Sequence, residues 1–353
     1  MPDPERVVYV IGVGASVEAA TGVERDDFSC GPKFIENIVR RLDFRQEDND
    51  ILNTLRLSLN SGKIRDTTFE ACTQAAGTIR GALPGAVSID KYIEQNPASP
   101  AIALCDKFAI VNTILEAERA SLMYFYKRNS DERMDLGPLS STWYKKFFTI
   151  IADHCDMQGA IQRAGFYKLI IFNYDRCVEH YLFHHFKANY DGADDEDAAR
   201  FIDAFTIVHP YGCVGSLQEV GDAPHMPFGG NPDYHRYIDL AKGIKTFSEQ
   251  SDPKNREILD CKSALQKADS VVFLGFAFEE ENMKLIAPLE HKSSASERKP
   301  KCYGTAYRES GHNLEGFKIR VEGLFKNESN DVWLQDISAS NLFEDLKTHL
   351  QFH

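Results

Sequence analysis

The stretch that decides the fold is Val7-Val8-Tyr9-Val10-Ile11, followed directly by Gly12-Val13-Gly14-Ala15-Ser16. Five apolar residues in a row predict a buried β-strand. Glycines at the carboxyl end of such a strand let main-chain N–H groups approach a phosphate, and a helix that follows offers its positive end to the same anion. The stretch therefore indicates a nucleotide-binding turn.

The dinucleotide-binding fingerprint is incomplete after this turn. Val17 stands where a third Gly or Ala is expected, and no second strand ending in an acidic residue follows about 20 residues later. Apolar residues between Phe34 and Leu42 instead recur at helical spacing, with Pro32 near the start of the predicted helix. The pattern argues against an ordinary dehydrogenase half.

The composition favours a globular chain with an acidic surface. The chain has 353 residues, 43% of them hydrophobic, with 23 Phe and 14 Tyr, which is enough for a substantial core. Its net charge of -13 repels phosphate backbones, so we expect no direct binding of nucleic acid. No apolar run approaches the roughly 20 residues that span a bilayer, and the N-terminus lacks a signal pattern. We expect a cytoplasmic protein that does not bind membranes.

The eight cysteines are scattered, and no Cys-x-x-Cys pair occurs. A zinc ribbon needs close pairs of ligands, so the sequence predicts no zinc ribbon and no metal site. Free thiols in a reducing compartment are the expected state.

Apolar runs separated by helical segments fill the second half of the chain. The runs cover residues 168–172, 205–208, 270–274, 301–306 and 331–334. Such alternation predicts a parallel sheet covered on both faces, and the N-terminal strand has to join it because one strand cannot stand alone. The prediction is an α/β protein with a Rossmann-like doubly wound parallel sheet from residues 1–45 and 166–353, and a helical insertion at 46–165.

Three further strands end in residues that could bind a ligand. They end in Asn173-Tyr174-Asp175, in His209-Pro210-Tyr211-Gly212, and in Gly275-Phe276 with Glu281-Asn282 just beyond. Each has a simpler explanation, since Asn and Asp commonly cap helices and a lone His at a strand end is often structural. Ligands of open α/β sheets bind outside the carboxyl ends of the strands, so the joint occurrence indicates a site.

Together these motifs resemble those of sirtuin-like proteins. The set comprises the Gly-x-Gly-x-Ser turn, Asn-Tyr-Asp after a strand, a His followed shortly by Gly, and Leu-Gly-Phe-x-Phe at 274–278. The nearest likeness is to the bacterial sirtuin-like NAD hydrolases of anti-phage defence, in which a helical insertion replaces the zinc ribbon of the deacylases. Ser88-Ile89-Asp90-Lys91-Tyr92 also resembles a signature of that insertion.

The resemblance implies a role for each motif, with NAD as substrate and without a metal. Gly12, Gly14 and Ser16 would bind the pyrophosphate. The adenosine ribose site would be lined by Gly275 and Phe276, with Glu281 and Asn282 as neighbours.

Three more residues would carry the reaction, as the resemblance implies. Asn173 would hold the nicotinamide ribose or the attacking water, Asp175 would shape the nicotinamide side of the pocket, and His209 would be the general base. The nicotinamide–ribose bond breaks through an oxocarbenium-like state with a leaving group that is already cationic. The enzyme therefore needs positioning and a base near neutral pKa, not a strong acid.

The resemblance therefore implies an NAD+ hydrolase that releases nicotinamide and ADP-ribose and acts as an anti-phage defence effector. The resemblance implies a homo-oligomer, with a HerA-type ATPase as a candidate partner. One alternative is a sensor that holds NAD or ADP-ribose without turnover, because Pro210-Tyr211-Gly212 follows the histidine where the family has Gly directly. Others are a scaffold subunit of an ATPase-containing defence complex and a deacylase. Cyclisation in place of hydrolysis also stays open.

Overall fold

The protein is described by a computed structural model. The residues that it describes are 6–20, 32–45, 49–86, 92, 95–96, 99–126, 133–217, 224–252, 254–289, 299–326 and 331–346. The segment 22–28 after the glycine turn and residues 88–91 of the predicted insertion signature lie outside them.

A six-stranded parallel sheet forms the centre of the fold, in the order β3-β2-β1-β4-β5-β6. Its strands are β1 (Val7–Ile11), β2 (Tyr167–Ile171), β3 (Thr206–Val208), β4 (Ser270–Leu274), β5 (Lys301–Thr305) and β6 (Val332–Gln335). All five neighbouring pairs are parallel. This is the Rossmann strand order, in which β2 and β3 lie on one side of β1 and β4 to β6 lie on the other. The strand order therefore reverses between β1 and β4. The predicted doubly wound parallel sheet is confirmed, with the N-terminal strand in its middle.

Helices account for most of the remaining described residues. They are α1 (Pro32–Arg41), α2 (Asp50–Asn60), α3 (Phe69–Ala82), α4 (Pro100–Ala120), α5 (Trp143–Ala152), α6 (Met157–Ala164), α7 (Cys177–Asn189), α8 (Asp195–Ala204), α9 (Tyr234–Gly243), α10 (Phe247–Gln250), α11 (Arg256–Lys267), α12 (Glu280–Ile286), α13 (Gly311–Phe325) and α14 (Ala339–Asp345). Short 3₁₀ helices cover Val13–Ala19 and Leu83–Gly85. Across the described ranges, no helix is both long and apolar enough to cross a membrane.

The alternation of side chains along each strand divides the core into two halves. Val8 and Val10 of β1 belong to one hydrophobic cluster, which also contains buried residues of α1 to α4 and of α9. Tyr9 and Ile11 belong to the other, which contains buried residues of α5 to α8 and of α14. Both faces of the sheet are therefore covered, which explains why its strands are almost continuously apolar.

Helices of the predicted insertion share these two cores with the sheet. The Tyr9 and Phe147 rings lie 4.9 Å apart between β1 and α5, and the indole N–H of Trp143 donates to the carbonyl of Ala15 at 2.8 Å. Buried residues of helices α2 to α4 belong to the hydrophobic cluster that contains Val8. The boundaries of the insertion at residues 46 and 165 stay a prediction.

The register aligns the carboxyl ends of the central strands. Ile11 of β1 lies opposite Ile171 of β2 on one side and Leu274 of β4 on the other. The segments that follow these three strands therefore begin at the same edge of the sheet, where ligands of this fold bind.

Candidate functional site

The glycine turn after β1 packs directly against the turn after β4. Gly275 has a φ of 55°, a conformation that favours glycine. A Cβ at Gly275 would lie 2.1 Å from the nitrogen of Ala15, and one at Gly12 would lie 2.5 Å from the carbonyl oxygen of Gly275. Close contact between two main chains at the point where the strand order reverses thus accounts for both glycines.

Three main-chain amides of this turn already have acceptors within the protein. Gly12 donates to the carbonyl of Leu274 at 2.9 Å, and Gly14 donates to that of Gly275 at 3.1 Å. Ala15 donates to the carbonyl of Gly12 at 3.0 Å. A phosphate at this turn would have to use other donors, so the role of Gly12 and Gly14 in binding pyrophosphate stays a prediction.

Ser16, Asn173 and Asp175 form a buried polar cluster between the ends of β1 and β2. The amide Nδ2 of Asn173 donates to the Ser16 hydroxyl at 2.7 Å, and this hydroxyl donates to Oδ2 of Asp175 at 2.9 Å. Each side chain is at most 4% exposed. Among the described residues, Oδ1 of Asn173 has no hydrogen-bond partner. A buried acceptor without a partner is costly, so this oxygen is a candidate for binding a ligand or water.

Asp175 also lies two residues before the start of helix α7. Its Oδ1 accepts from the main-chain N–H of Cys177 at 3.1 Å, which satisfies a free amide at the start of the helix. Burial raises the pKa of the Asp175 carboxyl, and the hydrogen bonds from Cys177 and Ser16 offset this only in part. Asp175 therefore satisfies one amide at the start of α7, although Arg176 is the cap residue, and it also belongs to the buried polar cluster.

Both ring nitrogens of His209 form hydrogen bonds within the protein. Nδ1 lies 2.8 Å from the carbonyl oxygen of Asn173, and Nε2 lies 2.7 Å from Oε1 of Glu179 in the first turn of α7. Burial lowers the pKa of His209, but the Glu179 carboxylate and the Asn173 carbonyl outweigh it and raise the pKa above its usual value. The histidine thus joins the buried polar cluster to a carboxylate that the sequence analysis did not single out.

A cavity of about 1070 Å³ opens beside this pair. It is lined by residues of α7, by the segment after β3 and by residues 225–231. Pockets that hold drug-sized ligands usually measure about 300–1,000 Å³. The space is sufficient for a nucleotide or one half of a dinucleotide.

Aromatic and imidazole rings form much of the cavity wall. The rings belong to Tyr124, Phe125, Tyr126, His180, Phe183, His184, Phe205, His225 and Phe228. His180 stacks on Phe228 with 4.0 Å between the ring centroids, and burial together with His184 lowers the pKa of His180 well below its usual value. Flat, uncharged ring faces suit a flat heteroaromatic or cationic ring.

The two arginines in the cavity lining are bound within the protein. Arg176 pairs with the fully buried Glu118 of α4 through Nη2 and Oε2 at 2.5 Å, and it also donates to the carbonyls of Met226 and Pro227. Arg119 donates to the carbonyls of Gly229 and Gly230. Both side chains fix residues 226–230 against α4 and thereby shape the cavity.

The ten predicted site residues lie along the same edge of the sheet but do not form one pocket. Among the described residues that line the cavity, His209 is the single member of the predicted set. Phe276 contacts Phe172 with 5.1 Å between ring centroids, and Asn282 accepts from the Tyr211 hydroxyl at 2.6 Å. Glu281 is half-buried in the first turn of α12.

Sequence reasoning missed two residues of this region. Glu179 lies in the first turn of α7, where an acidic residue is an ordinary helix stabiliser, so no signal in the sequence set it apart. Thr305, at the end of β5, accepts from the amide of Gly275 at 2.8 Å through its hydroxyl, and no motif marked it.

Comparison of the chain with protein-family models, with curated proteins and with solved structures gives no match. The sirtuin-like resemblance therefore stays a prediction from the sequence motifs. In the part of the chain that the structure describes, no group of three or more His, Cys, Asp or Glu side chains is arranged to hold a metal ion.

Proposed function

We propose that the protein is an NAD+ hydrolase that cleaves the bond between nicotinamide and ribose and releases nicotinamide and ADP-ribose. One observation carries the proposal. The His209–Glu179 pair faces a large aromatic cavity at the carboxyl edge of a Rossmann sheet, and the Asn173 carbonyl links it to the Ser16–Asn173–Asp175 cluster. The motifs at these positions resemble those of sirtuin-like NAD hydrolases.

The cavity chemistry suits this reaction. A cationic nicotinamide ring is favoured by aromatic side chains of the kind that line this cavity. Asn173 and His209 are held in fixed positions, which favours a reaction that depends on orientation of the ribose and the water. The electron pair of the broken bond neutralises the nicotinamide nitrogen, so no acid is required.

The test is an assay of NAD+ consumption with chromatographic identification of the products. We expect nicotinamide and ADP-ribose in equal amounts, whereas cyclic ADP-ribose would indicate cyclisation. Asn173→Ala and His209→Ala should each lower the rate by about 100-fold, the loss expected when a group that orients the reacting atoms is removed. His312→Ala, on the exposed face of α13, is the matched control. Wild-type activity in both site variants would contradict the site assignment.

A second candidate is a sensor that binds NAD or ADP-ribose without turnover. The paired amides of the glycine turn and the two hydrogen bonds of His209 favour it, because both leave few groups free for chemistry. Calorimetry that detects NAD+ binding, together with no release of nicotinamide, would support the sensor over the hydrolase.

The biological setting stays a proposal supported by the sequence resemblance alone. We propose an anti-phage effector that works as a homo-oligomer, with a HerA-type ATPase as partner. Mass photometry of the chain alone and mixed with a co-encoded ATPase tests this. A strict monomer in both samples would contradict it.

A further inference from the structure

Glu179 has one bound and one free carboxylate oxygen. Its Oε1 lies 2.7 Å from Nε2 of His209, whereas Oε2 is buried and has no hydrogen-bond partner among the described residues. The side chain is 16% exposed and lines the large cavity. A buried polar atom without a partner is costly, which makes Oε2 a candidate to bind a water molecule or ligand group placed next to it.

The hydrogen bonds of His209 determine where its protons lie. The Asn173 carbonyl can only accept, so Nδ1 of His209 carries a proton. The Glu179 carboxylate also accepts at Nε2, and a carboxyl group is more acidic than an imidazolium, so the shared proton resides on the ring. In this arrangement His209 has no lone pair with which to accept a proton.

The other carboxylates near the site are less suited to act as a base. Asp175 is engaged at both oxygens, by Ser16 and by the amide of Cys177. Asp203, which also lines the cavity, is exposed to solvent. Glu179 combines burial, a fixed orientation and one oxygen that has no hydrogen-bond partner among the described residues.

We propose that Glu179 is the catalytic base, and that His209 acts as the positioning residue that fixes it. The proposal rests on the proposed NAD+ hydrolysis. The bond between the nicotinamide nitrogen and C1′ breaks, and its electron pair goes to the nitrogen. A water oxygen then bonds to C1′, and the water proton passes to Oε2 of Glu179 and from there to solvent. The carboxylate also stabilises the positive charge that develops on the ribose.

The experiment uses the full chain and NAD+, with kcat and KM measured separately. Glu179→Gln should lower kcat by about 10²- to 10⁴-fold, the range for loss of a general base, with a smaller change in KM. Glu257→Gln is the matched control, since it removes an exposed carboxylate from the first turn of α11. Thermal unfolding followed by circular dichroism shows whether each variant is folded.

Rescue by a small acid separates a chemical role from a structural one. Glu179→Ala should regain activity when sodium formate is added, because formate can occupy the space of the lost carboxylate, whereas His209→Ala should not. Active wild type with an equally active, folded Glu179→Gln would overturn the role of Glu179 and leave the hydrolase proposal intact. A folded wild type that binds NAD+ in calorimetry but does not consume it would overturn both.

Discussion

The hydroxyl of Ser16 donates a hydrogen bond to Oδ2 of Asp175 at 2.9 Å, although the two residues are 159 positions apart in the chain. The same hydroxyl accepts from Asn173, so one serine joins the turn after β1 to the end of β2. Every group in this contact is buried. The serine of the Gly-x-Gly-x-Ser turn is therefore a structural partner of the Asn-Tyr-Asp motif.

Replacing Ser16 by Ala should destabilise the fold. Asn173 would lose an acceptor and Asp175 a donor, and each unsatisfied buried group costs about 1–3 kcal/mol. Urea unfolding measures the change in the free energy of unfolding. Ser140→Ala, at an exposed position, is the control and should change it by about 0.5 kcal/mol or less. Equal stability of the two variants would contradict the hydrogen bonds described for Ser16.

Replacing Gly275 by Ala should be more harmful than the same change at Gly62. Both glycines have positive φ, 55° and 72°, so each substitution costs about 1–2 kcal/mol of left-handed strain. The new Cβ at Gly275 would also clash with Ala15, which adds about 1–3 kcal/mol of overpacking, whereas nothing lies within 4 Å of a Cβ at Gly62. Chemical denaturation of the two variants compares these costs. A Gly275→Ala variant no less stable than Gly62→Ala would argue against the close packing of the two turns.

Breaking the buried ion pair between Glu118 and Arg176 should cost about 3–5 kcal/mol, because it leaves a guanidinium buried without its partner. Glu118→Gln, measured by denaturant unfolding, is the direct test. A double change, Glu118→Leu with Arg176→Met, should recover much of the loss because no charge stays buried.

The control for this pair is Asp239→Asn, whose partner Lys242 is largely exposed. Surface pairs contribute about 0–1 kcal/mol, so this variant should unfold close to the wild type. If Glu118→Gln behaved in the same way, the pair would not be buried as described.

The His209–Glu179 contact should make stability depend on pH. The pKa of His209 is raised in the folded state, so its stabilising contribution is complete below the unfolded pKa of about 6.5 and is lost as the pH rises through the folded value. The difference in the free energy of unfolding between wild type and His209→Gln should therefore be larger at about pH 6 than at about pH 9.

His185 should change the free energy of unfolding with pH in the opposite direction. Burial lowers its pKa to about 4, so its neutral form is favoured in the folded state, and its contribution declines as the pH falls from about 6.5 toward that value. The difference in the free energy of unfolding between wild type and His185→Gln should shrink with acidification.

A difference in the free energy of unfolding between wild type and His209→Gln that does not vary with pH would contradict the ion pair at His209.

Much of the fold could be predicted because its signals are local. Each buried strand appears in the sequence as an apolar run, and β4 was predicted with its observed bounds, Ser270–Leu274. The acidic run at Asp194–Asp197 begins helix α8 through a capping box, which is an ordinary local use of acidic residues. Short-range rules of this kind need no knowledge of distant partners.

For the candidate site, the sequence predicted only which residues follow the carboxyl ends of the strands. Parallel strands place their carboxyl ends at one edge, which is why Ser16 and Asn173 could be expected near each other. The sequence did not indicate that the amides of the glycine turn pair with the turn after β4, nor that Glu179 reaches His209. Such contacts depend on the packing of side chains in three dimensions.

The sequence by itself determined the parallel sheet, its two covered faces and the edge at which the polar site residues lie. These features depend on hydrophobic periodicity and on glycine positions, which are local properties of the chain. Only the tertiary structure decided that His209 lines the aromatic cavity and that, among the described residues, the glycine turn does not. It also decided that Glu179 contacts the histidine with one oxygen, while no described residue forms a hydrogen bond with the other. The physical reason is that a hydrogen bond requires two atoms within about 3 Å. No local pattern specifies which residue, 30 positions away, will supply the second atom.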